Sequence, residues 1–263
     1  MTDQTRDLSD DYANGAHIPG GADYPARWAR DAAAFRDHVA VQTGLAYGPG
    51  PRETFDLVLP GGAPRGTVVF VHGGYWMEGS PDLWTHLAAG PLARGWAVAL
   101  PGYALCPEVR ITQIVAQVAR AVEAVGARVA GPLVLTGHSA GGHLVARLGC
   151  DDVALGLRER VARIVPISPI ANLAPLLCTG MNAVLRLDPA EAAAQSPLLR
   201  PAPRVPVTVR VGADERPAFL QQADWLARGW GVGCDVVPGR HHFDVIDALA
   251  VPQSGLCDLL CGS

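Results

Sequence analysis

The sequence predicts an α/β fold: a mostly parallel central sheet with helices on both faces. Three observations predict it. Apolar runs of strand length alternate with amphipathic runs of helical length, and glycine or proline punctuates most of the junctions. The chain's 263 residues, 49% hydrophobic and 17% charged, are enough for one sizeable core. The chain is therefore read as a single domain over 1–263.

Residues 1–52 make an N-terminal lead and helix. The lead, 1–20, is irregular and ends at Pro19-Gly20-Gly21. A helix from about Pro25 to His38 carries Trp28, Ala32, Phe35 and Val39 on one stripe. ETFDLVL (53–59) alternates as a strand does and stops at Pro60-Gly61-Gly62. TVVFVH (67–72) reads as a buried strand, 83–94 as a helix ended by Gly95, and 96–100 as the next strand. From Ile111 to Val129, Ile111, Ile114, Val115, Val118 and Val122 line one helical face. Strand 133–136, helix 143–149, strand 164–167, strand 207–211, helix 218–229 and strand 234–237 complete the alternation. The stretch 169–204 breaks the rhythm and is proline-rich at its end. It is expected as a short lid over the carboxyl edge of the sheet, carrying specificity.

Composition excludes several function classes. All 21 basic residues are arginine, so a Schiff-base lysine and a phosphate-loop lysine are absent. A net charge of −4 with scattered arginines gives no basic stripe for nucleic acid. No apolar run approaches a membrane span, and the acid-rich start does not resemble a secretory leader, so a cytoplasmic location is expected. The six cysteines form no CxxC pair and read as buried thiols; Cys257 and Cys261 share a helix face. No cofactor is implied. The run His241-His242-Phe243-Asp244 points its side chains in alternating directions and is not read as a metal site.

The sharpest motif is Gly137-His138-Ser139-Ala140-Gly141, a G-x-S-x-G in a chain with seven serines. A buried strand, PLVLT, leads into it and a helix-compatible segment, AGGHLVARL, leads out. That setting presents a serine hydroxyl on a strained turn above a helix N-terminus. Upstream, His72-Gly73-Gly74-Tyr75-Trp76 follows TVVFV. Backbone N–H groups of Gly73 and Gly74, with that of Ala140, are the expected oxyanion donors. His72 is read as bracing this loop. A serine nucleophile needs a base, and the base needs an orienting carboxylate. Asp214 and Glu215 follow the strand VTVRV, and His241 and His242 follow CDVV, both at the same sheet edge. His17, His38 and His86 read as structural or solvated, and His138 and His143 as directed away from the serine hydroxyl.

Together these pieces resemble the α/β-hydrolase superfamily over about residues 53–250, in its chain order of serine, acid, histidine. HGGYW and GHSAGGHL (137–144), with the Trp28-Ala29-Arg30 helix, resemble the serine-dependent arylformamidases (kynurenine formamidases) and their bacterial esterase-like relatives. The resemblance implies Ser139 as nucleophile and His242 as base. Its acid pattern, G-x-x-[D/E]-x-P-x-F, falls on Gly212, Glu215, Pro217 and Phe219 and names Glu215, where such members usually carry Asp; Asp214 stays as rival. His241 replaces the acidic residue often seen before this histidine. Tyr75 and Trp76 are candidates for contact with an aromatic substrate, or for packing beneath the lid. Asn172 and Arg186 are the candidates for a carboxylate clamp.

The expected activity is serine hydrolysis of a small acyl amide or ester through an acyl-enzyme, with N-formylkynurenine as the substrate the resemblance suggests. A short-acyl carboxylesterase uses the same atoms. A non-catalytic small-molecule binder on the same scaffold is the alternative of another class.

Overall fold

A computed structural model describes residues 6–262; residues 1–5, the start of the expected irregular lead, and Ser263 lie outside the described residues. From the lead's short 3-10 turns the chain enters α1 (Tyr24–His38), then β1 (Val41–Ala46), β2 (Thr54–Val58) and β3 (Thr67–Val71). Next come α2 (Ala89–Ala93), β4 (Ala97–Pro101), α3 (Ile111–Arg128), β5 (Leu133–His138), α4 (Ala140–Gly149) and β6 (Val161–Ile167). The short helices α5 (Asn182–Leu185) and α6 (Pro189–Gln195) precede β7 (Thr208–Gly212), α7 (Pro217–Trp230), β8 (Gly233–Val237) and α8 (Gly255–Cys261).

The eight strands form one sheet in the order β1-β2-β4-β3-β5-β6-β7-β8. β2 pairs antiparallel with both β1 and β4, and every pairing from β4 to β8 is parallel. Side-chain alternation splits the core into two layers. Val69, Val71, Leu133 and Leu135 face α3, α4 and α7, where Ile114, Val118, Leu144 and Leu226 are buried. Val68, Phe70, Val98 and Val134 face the other way, onto Trp28, Trp84, Ile246 and Leu256. Each such side chain contributes roughly 1.5–3 kcal/mol by leaving water. Among the described residues no helix is long and apolar enough to cross a membrane.

Three expectations change. β1 is not expected from the sequence, because VQTGLA is an edge strand, exposed except at the half-buried Val41 and Leu45, and shows no apolar alternation. The helix expected over 83–94 is broken: 3-10 turns cover 81–83 and 85–88, and only Ala89–Ala93 is α-helical. Gly90 and Pro91 are helix-poor residues, and Gly90 is held there by packing, since a Cβ on it would meet Leu249 O at 2.3 Å and Cys257 Sγ at 2.4 Å. Segment 169–204 packs onto the body: α6 lies against α3, Ala171 N–H donates to Gln222 Oε1 on α7 at 2.8 Å, and His143 on α4 bonds Gln195 O at 2.7 Å.

Candidate active site

Parallel strands carry their carboxyl ends to one rim, so loops from distant parts of the chain meet there. The loop after β3 brings His72-Gly73-Gly74, the turn after β5 brings Ser139, and the turns after β7 and β8 bring Glu215 and His242.

Ser139 occupies the strained turn that the motif requires, with φ 55° and ψ −115°, at the N-terminus of α4. The two glycines of the motif are demanded by packing: a Cβ on Gly141 would lie 2.0 Å from Val71 O, and one on Gly137 would lie 2.5 Å from Gly141 O. The turn therefore closes directly against β3, which places Gly73 beside the serine; a Cβ on Gly73 would touch Ser139 Cβ at 3.2 Å and His138 O at 2.9 Å. Gly74, Tyr75 and Trp76 follow with φ of 105°, 52° and 59°, a left-handed run that turns the loop sharply over the rim. Ser139 is 4% exposed.

His242 Nδ1 lies 2.6 Å from Glu215 Oε2, with the histidine 3% and the glutamate 6% exposed. A carboxylate only accepts, so Nδ1 donates to it, and in a neutral ring this tautomer puts the lone pair on Nε2. The ring packs on Phe219 at 4.3 Å and on His138 at 4.5 Å between centroids. Glu215 is fixed at its other oxygen, where Oε1 accepts from Ser168 Oγ at 2.5 Å and from Gly212 N–H at 2.8 Å. Asp214, the rival acid, is exposed, and its N–H donates to Arg240 O at 2.9 Å.

Burial disfavours the charged form of three further histidines, His138, His72 and His143. His138 donates from Nε2 to the carbonyl of His242 at 2.8 Å, and burial with the neighbouring His242 keeps its pKa well below the usual range. Burial pushes His72 down to about 4; its Nδ1 donates to Gly73 O at 2.7 Å, and its ring stacks on Tyr103. Burial likewise pushes His143 down to about 3. His241 turns outward from its neighbour, to the Tyr24 hydroxyl at 3.1 Å.

A cavity of about 390 Å³ opens beside His242, lined by Gly73, Gly74 and Tyr75, by the rings of Trp28, Trp84 and Phe243, and by the lead residues Gly15, Ala16, Gly21 and Ala22. Among the described residues Glu78 is the one carboxylate along it, and no arginine lines it. Tyr75 is pinned there, its hydroxyl donating to Tyr12 O at 2.9 Å and accepting from Asn14 Nδ2 at 3.1 Å. Trp76 is not on this wall: it is 1% exposed and packs edge-on against His143 at 5.1 Å. Asn172 and Arg186 do not line it either, and no residue of 169–204 does. The sequence reading thus missed the lead as a wall, the aromatic trio and Ser168. Ser168 had a legible signal, a serine following the buried strand IVPI at the same rim.

The chain belongs to the α/β-hydrolase-fold family, whose model matches residues 68–202, from β3 through the serine turn to α6. It is a hydrolase. Kynurenine formamidase of Danio rerio is 29% identical over 233 residues, covering 82% of this chain and 79% of that protein. Kynurenine formamidase of Drosophila melanogaster is 26% identical over 212 residues, covering 73% and 71%. A crystal structure from Silicibacter sp. TM1040, described provisionally as a thioesterase, superposes with a TM-score of 0.94 at 49% identity, covering 96% of this chain and 98% of that one. Esterase B from Lactobacillus rhamnosis shares the fold, with a TM-score of 0.66 at 20% identity over 90% of this chain and 97% of that one.

Proposed function

We propose that the protein hydrolyses N-formyl arylamines through a formyl-enzyme, with Ser139 as nucleophile, His242 as general base and acid, and Glu215 as the carboxylate that orients it. The observation that carries this reading is the buried 2.6 Å contact between Glu215 and His242 Nδ1, on the rim where Ser139 sits on its strained turn. His242 Nε2 takes the serine proton as Oγ attacks the formyl carbon. The N–H groups of Gly73, Gly74 and Ala140 receive the oxyanion. Collapse breaks the C–N bond, and His242 returns the proton to the departing arylamine. Water, deprotonated by the same nitrogen, then releases formate and restores Ser139.

The aromatic trio supports an aryl leaving group, since Trp28 and Phe243 meet at 5.3 Å and Trp28 and Trp84 at 4.4 Å along the cavity. The kynurenine formamidase relatives support the formyl group and make N-formylkynurenine the first substrate to try. The 49% identical neighbour favours a second reading, in which the same atoms cleave a short acyl thioester.

The test compares kcat/KM for N-formylkynurenine, a short-chain nitrophenyl ester and an acetyl thioester. The formamide is expected to lead by about tenfold or more. Equal or better rates on either ester would remove the arylformamidase assignment. Labelling of the wild type by a fluorophosphonate, lost in Ser139→Ala, is expected; a wild type that resists labelling would favour a non-catalytic binder.

A further inference from the structure

We propose that Ser168, at the carboxyl end of β6, is a positioning residue that sets the carboxylate plane of Glu215 and thereby the orientation of His242. This inference rests on the reading of His242 as base. A glutamate reaches its histidine through one more rotatable bond than an aspartate, so the direction of its oxygens is softer. Three donors remove that freedom. Ser168 Oγ at 2.5 Å and Gly212 N–H at 2.8 Å both engage Oε1, leaving Oε2 to His242 Nδ1 at 2.6 Å. Ser168 is wholly buried, so bulk water does not replace its hydroxyl. Its N–H donates to Arg210 O at 2.7 Å, which ties the hydroxyl to the strand that precedes Glu215.

The backbone supplies an independent observation. Ser168 holds φ at 49°, a left-handed conformation that glycine adopts freely and a serine only under strain. A residue that only made this turn would be served better by glycine. The strain is instead kept together with a hydroxyl whose bond is aimed at the acid.

This contrast selects the variants. Ser168→Gly relieves the backbone and removes the hydroxyl, and Ser168→Ala removes the hydroxyl while keeping Cβ. Both are expected to lower kcat about tenfold, the loss expected for one hydrogen bond to a charged group. KM should stay within about twofold. A carboxylate relieved of one donor attracts its partner's proton more strongly, so the His242 resonances, followed by NMR against pH without substrate, should respond at higher pH than in the wild type. The titratable groups around the pair are His138 from β5, Asp214 and Arg216 from the turn after β7, and His17 and Asp10 from the lead, all unchanged in both variants. Ser168→Gly should melt at or above Ser168→Ala, because both lose the hydroxyl and only glycine relieves the left-handed backbone.

An unshifted His242 titration with wild-type kcat would overturn the proposal. So would a loss of kcat that follows only a fall in Tm. Failure of the serine-hydrolase reading has a different signature: activity survives Ser139→Ala, while the substrate-free titration still responds to Ser168.

Discussion

Two carboxylates stand next to each other in sequence, and their surroundings give them different chemistry. Glu215 is buried with both oxygens engaged, whereas Asp214 is exposed and, among the described residues, held only through its backbone. Glu215→Gln leaves the shape but presents His242 Nδ1 with an amide that can donate, which favours the wrong tautomer. We expect kcat to fall by about 10²–10⁴. Asp214→Asn should leave it within about twofold. Steady-state kinetics on the two variants check this, and a larger loss for Asp214→Asn would reassign the acid. In sequence the pair was separable only through the family pattern; which neighbour turns inward depends on the backbone entering α7, and spacing does not encode that.

At the level of elements, the parallel strands and their long helices were legible because buried strands are apolar throughout and α3 repeats its apolar residues at helical spacing. The lead was legible only as irregular chain. Its placement draws on scattered polar contacts: Arg216 with Asp10 at 2.7 Å, Gln222 with the Tyr12 hydroxyl at 2.8 Å, and Asn14 with the Tyr75 hydroxyl. None of these has a periodic signature. The lead, together with α1, supplies one wall of the cavity, and the small side chains of Ala16 and Ala22 leave its space open. Ala22→Trp or Ala16→Trp should therefore raise KM for an aryl formamide about tenfold or more while sparing a short acetyl ester. Both positions are exposed, so Tm should hold. If instead both substrates suffer equally, the leaving group does not occupy this cavity.

Across the whole molecule, the rim that gathers the site also buries imidazoles. His72 is held at about 4 and His143 at about 3, His138 lies well below its usual value, and His86 near the Trp84 turn is held at about 4. Burial is the leading cause in each. The unfolded chain protonates these groups near 6.5, so below that pH it binds protons that the native state refuses, and stability falls with pH. The loss begins near 6.5 and levels off for His72 and His86 below about 4, with each fully buried imidazole contributing up to about 1.4 kcal/mol per pH unit in between. Urea unfolding should show the midpoint dropping from pH 7 to pH 5 at constant m. His86 provides the internal control, because its Nδ1 is buried without a hydrogen-bond partner among the described residues. His86→Leu removes both the orphaned nitrogen and one titrating group. Its midpoint should exceed wild type by more at pH 5 than at pH 7, and a gain that is the same at both would mean that His86 already protonates in the folded protein.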